Sequence, residues 1–295
     1  MLSRVLAVPF VLGLLLCVYL AWESDESYAA YIIPQALSLV VIYIFQPQID
    51  WWWYNRRPPE VDHQLRQILD RYLAFYQRLS EGNKKRFRER VALYVFANDF
   101  MAKVFDEVPE DIKGIIATNI VQLTFGQSDY RMDTFERIVV YPQPFPSPQY
   151  PTKRHASEIF EEDGVILFSA EQLMAGTLNP KKNYNIGLHE YAKIFILTHP
   201  KISFPKYDDF IWEKLEMISG FSREFVEAYI GLPDVDPLPV SMTYFICFPV
   251  KFKEILPNAY QDFVKILNLN PINQHDPVVD KDLLIEEQKR RKTYA

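Results

Sequence analysis

Two uncharged, apolar runs open the chain: Val5–Trp22, of 18 residues, and Tyr28–Ile49, of 22. Each is long enough to cross about 30 Å of hydrocarbon as a helix. After Pro58-Pro59 the pattern changes to helical spacing. Leu65, Ile68, Leu69, Tyr72, Leu73, Phe75, Tyr76 and Leu79 fall on one face of a helix over 61–79. A second helix is expected from Ser80-Glu81 to about Phe100. Pro109-Glu110-Asp111 starts a third, running to Leu123 and apolar nearly all round, so buried. Phe135–Pro142 and Gly164–Ser169 read as strands, separated by a proline-rich loop from Pro142 to Pro151. Ala170–Met174 reads as a short helical turn, and a helix follows over 183–197. Further helices are predicted at Asp208–Met217, Ser222–Tyr229, Pro239–Phe248 and Asn258–Leu267, before a charged tail. The order of helices, a small strand region, then more helices is α+β, mostly α.

The flanks of the first two runs point to a membrane hairpin. Trp51-Trp52-Trp53-Tyr54 and then Arg56-Arg57 follow the second run, an aromatic belt closed by basic residues. The connecting loop, Glu23 to Ser27, is acidic, and Arg4 stands on the same side as Arg56-Arg57. The positive-inside rule puts both ends, and the body of the chain, in the cytoplasm. The expected division is a hairpin over 1–57 with transmembrane helices at 5–22 and 28–49, a cytoplasmic domain over 58–270, and a tail over 271–295. The location is then the bacterial inner (cytoplasmic) membrane. Two other readings compete. A cleaved signal peptide lacks an A-x-A-like site after the first run, and a buried core helix does not explain the tryptophans and arginine pair.

Composition narrows the classes. The net charge is −6 over 295 residues, so a nucleic-acid partner is not expected. Cys17 and Cys247 provide neither a disulfide framework nor a cysteine metal site. The basic stretch Lys84–Arg90 reads as a solvated face, or as a contact for anionic headgroups.

The chemistry concentrates at Asn185-Ile-Gly-Leu-His189-Glu190-Tyr191-Ala192-Lys193. In an H-E-x-x-H helix two histidines one turn apart hold zinc through neutral nitrogens, and the glutamate polarises the attacking water. Here His189 and Glu190 are present, but Lys193 stands at the second histidine. An ammonium has no lone pair to give a metal. A chance His-Glu pair in an amphipathic helix is the plainer reading. His199, ten residues after His189, has the spacing of a metzincin third histidine but lacks the glycine turn. His155 reads as a surface histidine. Glu213, Glu216, Glu224 and Glu227 are acidic candidates better explained as helix-surface charge.

Several segments in order resemble the Mlc titration factor A family, the glucose-regulated metallopeptidases. They are Leu79–Val91 with its L-S…K-x-R-F-x-x-R-V pattern, the Ile115–Ala117 helix, Leu123-Thr124-Phe125-Gly126, Ile138–Phe145 with Y-P-x-x-F, Asp163–Ser169, and Asn185–Ala192. The resemblance covers about residues 62–270. It implies a zincin-like domain with a gluzincin-like site: two histidines and a downstream glutamate on zinc, and the motif glutamate as general base. His189 and Glu190 match the first ligand and the base, whereas Lys193 replaces the second ligand. The stretch Met242–Pro249, with Pro257–Tyr260 after it, looks like the family's S-E-x-F-F-x-x-P region, and Thr243 takes the glutamate position. Two of three protein ligands are thus replaced. The implied function is a membrane-anchored, catalytically degenerate member that binds a peptide or protein, with no cofactor expected and a pocket formed by Lys193, Tyr191 and Thr243. The alternative is an active zinc peptidase with Glu190 as base and an unusual ligand set drawn from His189, His199 or a downstream acid.

Overall fold

The computed structural model describes residues 2–132, 134–208 and 210–272. The chain forms two compact units, one ending at Pro59 and one starting at Glu60.

In the first unit, helix α1 (Leu2–Glu23) is followed by a 3-10 turn at Glu26–Tyr31 and by helices α2 (Ile32–Ile44) and α3 (Gln46–Arg56). Leu2–Glu23 and Glu26–Ile44 are both long and apolar enough to cross a membrane. The second apolar run is not one helix over 28–49. Pro47 lacks an N–H and its ring crowds the preceding turn, so the helix breaks at Phe45 and restarts with proline in its first turn. The start of α1 is tied to α3 by Asp50, whose carboxylate accepts from Ser3 N at 2.9 Å and Ser3 Oγ at 3.0 Å. The guanidinium of Arg56 lies 4.1 Å from the Trp52 ring centroid and that of Arg57 4.7 Å from Trp53.

The second unit is mostly helical around a four-stranded sheet. Its elements are α4 (His63–Tyr72), α5 (Ala74–Gln77), α6 (Glu81–Ala97), β1 (Asp99–Ala102), α7 (Glu110–Leu123), β2 (Arg137–Tyr141), β3 (Ser157–Phe160), β4 (Val165–Ser169), α8 (Ala170–Leu178), α9 (Ile186–Thr198), α10 (Ile211–Ser219), α11 (Arg223–Ile230), α12 (Pro237–Cys247), α13 (Pro249–Ile255) and α14 (Pro257–Leu267). This is the α+β, mostly α architecture that the pattern predicts. Four details differ. The helix expected over 61–79 breaks at Leu73, which takes extended backbone. Strands β1 and β3 and helix α13 were not predicted. The charged tail beyond Ile272 lies outside the described residues.

The sheet order is β1-β2-β4-β3, with β1, β2 and β4 parallel and β3 antiparallel at one edge. Alternation along the strands sends Ile138, Val140, Ile166 and Phe168 into the main core. Val139 and Leu167 point to the other face and pack with Phe145. Ser157 pairs with Phe168 and Glu158 with Leu167, so these two neighbours on β3 face opposite sides.

Helix α7 is buried from Gly114 to Leu123 and packs against α6 and α9. The basic stretch on α6 is neither a solvated face nor a headgroup contact throughout. Arg90 is buried and donates to the carbonyls of Thr124 and Phe125, at 3.2 and 3.0 Å, and of Gln127, at 2.8 Å. A cation there satisfies carbonyls that the end of α7 leaves open.

Candidate active site

Helix α9 carries the motif. Asn185 caps it by accepting from Leu188 N at 2.9 Å. Gly187 in its first turn lets α9 close on α7, because a Cβ there would come within 2.6 Å of the Asn119 side chain. Every residue from Ile186 to Ala192 is buried. The helix is therefore not amphipathic, and a chance His-Glu pair on a surface helix does not describe it.

A buried hydroxyl and a part-exposed ammonium hold the motif glutamate. Glu190 Oε1 accepts from Ser157 Oγ of edge strand β3 at 2.7 Å. Its Oε2 lies 2.8 Å from Lys193 Nζ, with Glu190 1% and Lys193 36% exposed. No well-directed hydrogen bond reaches Oε2, so the ammonium meets it as a charge contact. Burial pushes the Glu190 carboxyl up, but Lys193, His189 and the Ser157 hydroxyl outweigh it and hold the pKa below the ordinary glutamate value. Burial drives the His189 ring the other way, down to about 4, with Lys193 adding to the fall and Glu190 opposing it. His189 is thus a neutral imidazole at neutral pH.

His189 Nδ1 is 2.7 Å from the hydroxyl of Tyr184, a fully buried residue. Burial raises the Tyr184 phenol well above its usual pKa, so it stays protonated and can donate. The Thr243 hydroxyl donates to the Pro239 carbonyl at 2.9 Å. Tyr184 therefore holds the His189 ring from the segment before α9, while Thr243 bonds back to its own helix, α12.

A cavity of about 320 Å³ opens over the motif. His189, Glu190 and Lys193 line it, with Ile196 and Leu197 further along α9. The segment Ile230–Asp236 forms the opposite wall, and Gly231, at φ +88°, makes the left-handed turn that ends α11 there.

The remaining candidates fall elsewhere. Tyr191 is two residues, or about 200°, round the helix from His189. It points into the core and hydrogen-bonds the Tyr94 hydroxyl at 2.9 Å, so it does not line the cavity. His199 caps the end of α9, about 15 Å of helix axis from His189. Its ring stacks on Phe195 and its Nδ1 is 2.9 Å from the Phe195 carbonyl, so it does not join His189. His155 is not at the surface: it is buried, with Nε2 3.0 Å from Glu158 Oε2. Glu213, Glu216 and Glu224 are exposed, and Glu227 pairs with Arg223 at 2.7 Å. None of these four borders the cavity. Ser157 and Tyr184 are the site residues that sequence reasoning missed. Residues 33 positions away or outside the motif carry no spacing signal; Tyr184 stands just before the helix cap and was the nearer to being found.

Residues 49–195 match the family model described as the glucose-regulated metallo-peptidase M90. Over these residues the chain belongs to that family. No curated protein sequence matches the chain. The match takes in the sheet and the motif up to Phe195 and stops before Thr243.

Metallopeptidase membership implies zinc, and the donor set here does not fit it. His189 is a neutral imidazole, but its neighbour one turn on is a cation, and Thr243 spends its hydroxyl on a backbone carbonyl. Among the described residues no group of three or more His, Cys, Asp or Glu side chains converges where an ion could sit. One imidazole does not make a zinc site.

Proposed function

We propose that this chain is a membrane-anchored, metal-independent derivative of the metallopeptidase family that binds a peptide or protein segment in the cavity over α9. The ion pair between Lys193 and Glu190, at 2.8 Å, carries this reading. A buried glutamate in an active member would face a metal ion and its water. Here a covalently attached cation sits where the second histidine would be and neutralises the carboxylate. The base then has a partner and the fold keeps its pocket.

The binding half of the reading rests on β3. Among the described residues it pairs as a strand only with β4, and although Ala156 just before it is bonded to the Ile230 carbonyl, the half-buried end at Ile159 and Phe160 leaves an edge beside the motif helix. An extended segment can add to such an edge, with side chains reaching the cavity walls. The walls are apolar at Ile196, Leu197, Ile230, Leu232 and Val235. Loss of chemistry with retention of the groove is how a family fold turns to recognition.

The two apolar helices supply the anchor. The tryptophans and Arg56-Arg57 after them favour a cytoplasmic location for the body, at the inner membrane. The test is hydrolysis and binding in parallel on the full chain in detergent or nanodiscs. The reading expects peptides to bind without cleavage. Zinc-dependent cleavage abolished by Glu190→Gln would establish an active peptidase instead.

A further inference from the structure

A second cavity, of about 390 Å³, lies within the first unit, between α1 and the α2–α3 junction. Its lining is graded. Ser3, Arg4 and Gln46, with Tyr43 one turn before it, form one end, and Ala7, Leu39, Val40 and Ile42 form the other. The Ser3–Asp50 hydrogen bonds fix the polar end at the level of Trp51-Trp52-Trp53. Leu39 lies seven residues, about 10 Å of helix, before Gln46. Arg4 is exposed at this polar end and forms no ion pair with an acidic side chain among the described residues.

We infer that this groove is a binding site for one anionic phospholipid, with its phosphate on Arg4 and an acyl chain along Ala7, Leu39 and Val40. The inference rests on the reading that the two helices span a membrane. The occupant follows from charge and grading together. A guanidinium at a belt of tryptophans binds phosphate with forked N–H donors. Basic pockets between transmembrane helices select anionic headgroups. The apolar half of the groove takes hydrocarbon and nothing polar. Arg56, which ends the same short helix as Asp50, and Arg57 just after it add positive charge to this end of the unit. Among the described residues the carboxylate at this end is Asp50, which is buried and turned to Ser3 N and Oγ, and the three arginines Arg4, Arg56 and Arg57 outweigh its single negative charge.

The test is reconstitution of the full chain in vesicles of mixed phosphatidylcholine and phosphatidylglycerol. Mild detergent extraction and native mass spectrometry then identify the lipid that stays bound. Wild type should retain phosphatidylglycerol enriched about fivefold over the bulk ratio, the size of one cationic contact with an anionic headgroup. Arg4→Gln should bring the ratio to bulk, Arg4→Lys should keep part of it, and Val40→Trp should abolish retention by filling the groove. Bulk-ratio lipid on wild type, unchanged enrichment in Arg4→Gln, or a second copy of the chain in place of lipid would overturn the site. Alkaline carbonate washing separates the two readings. Release of the chain from vesicles would refute the anchor itself, whereas a retained chain without enrichment would refute only the groove.

Discussion

Lys193 Nζ stands 2.8 Å from Glu190 Oε2, one helical turn away, on a helix otherwise buried through the motif. Helix geometry puts the two side chains within reach once position 193 is a lysine, since i and i+3 share a face. Burial makes the pair necessary, because Glu190 is 1% exposed and its Oε2 has no well-directed hydrogen bond.

Lys193→Ala removes the charge that Glu190 depends on. Water replaces part of it, as Lys193 is 36% exposed. The expected loss is about 1–3 kcal/mol, the cost of a buried polar group left unsatisfied. That corresponds to a fall in melting temperature of roughly 2–10 °C for a unit of this size. Adding Glu190→Gln to the same variant should recover part of the loss, and thermal melts of all four forms close the cycle. Equal melts for Lys193→Ala and wild type would remove the pair from the account.

Stability should fall on acidification through pH 6.5 to 4. His189 titrates at 6.5 unfolded and at about 4 folded. Between these values the unfolded chain binds the extra proton, so stability rises with pH there and is level above 6.5 from this group. The full effect is on the order of 3 kcal/mol. Glu190, also lowered, adds a contribution that is present above its unfolded pKa of 4.5 and is lost as pH falls through its folded value. Urea melts from pH 7 to 4.5 should slope less steeply for His189→Gln than for wild type.

Tyr184→Phe deletes the hydroxyl beside His189 Nδ1 and should destabilise the fold by about 1–3 kcal/mol. The tautomer is also open to measurement. With the phenol donating, the His189 proton sits on Nε2, and histidine ¹⁵N shifts should report that form. In Tyr184→Phe the preference should weaken; unaltered shifts would mean the hydroxyl does not set the tautomer.

Much of this was legible in the chain. The motif helix announces itself through an Asn cap, a glycine and His-Glu-x-x-Lys, and its cation is visible without coordinates. The strands β2 and β4 are β-branched or aromatic runs bounded by turns. Strand β3 is four residues, Ser-Glu-Ile-Phe, with no alternation long enough to read, and β1 follows α6 across the single residue Asn98. Ser157 and Tyr184 reach the site through tertiary packing, which no local spacing encodes. Lys84–Arg90 misled because charge in a helix suggests solvent, while Arg90 serves the carbonyl end of α7.

The cavity wall offers a check on binding that leaves the ion pair alone. Leu232→Trp fills part of the 320 Å³ space without touching Glu190 or Lys193. Peptide affinity should drop about tenfold or more, near 1.4 kcal/mol, with the melting temperature little changed. Unchanged affinity would place the peptide elsewhere.

The central claim is that a lysine has taken the metal's place, and zinc content tests it most directly. The full chain, purified without chelator and then offered zinc, is washed and measured by elemental mass spectrometry. The account predicts zinc far below one ion per chain, unchanged by His189→Ala. One zinc per chain that disappears in His189→Ala would contradict it.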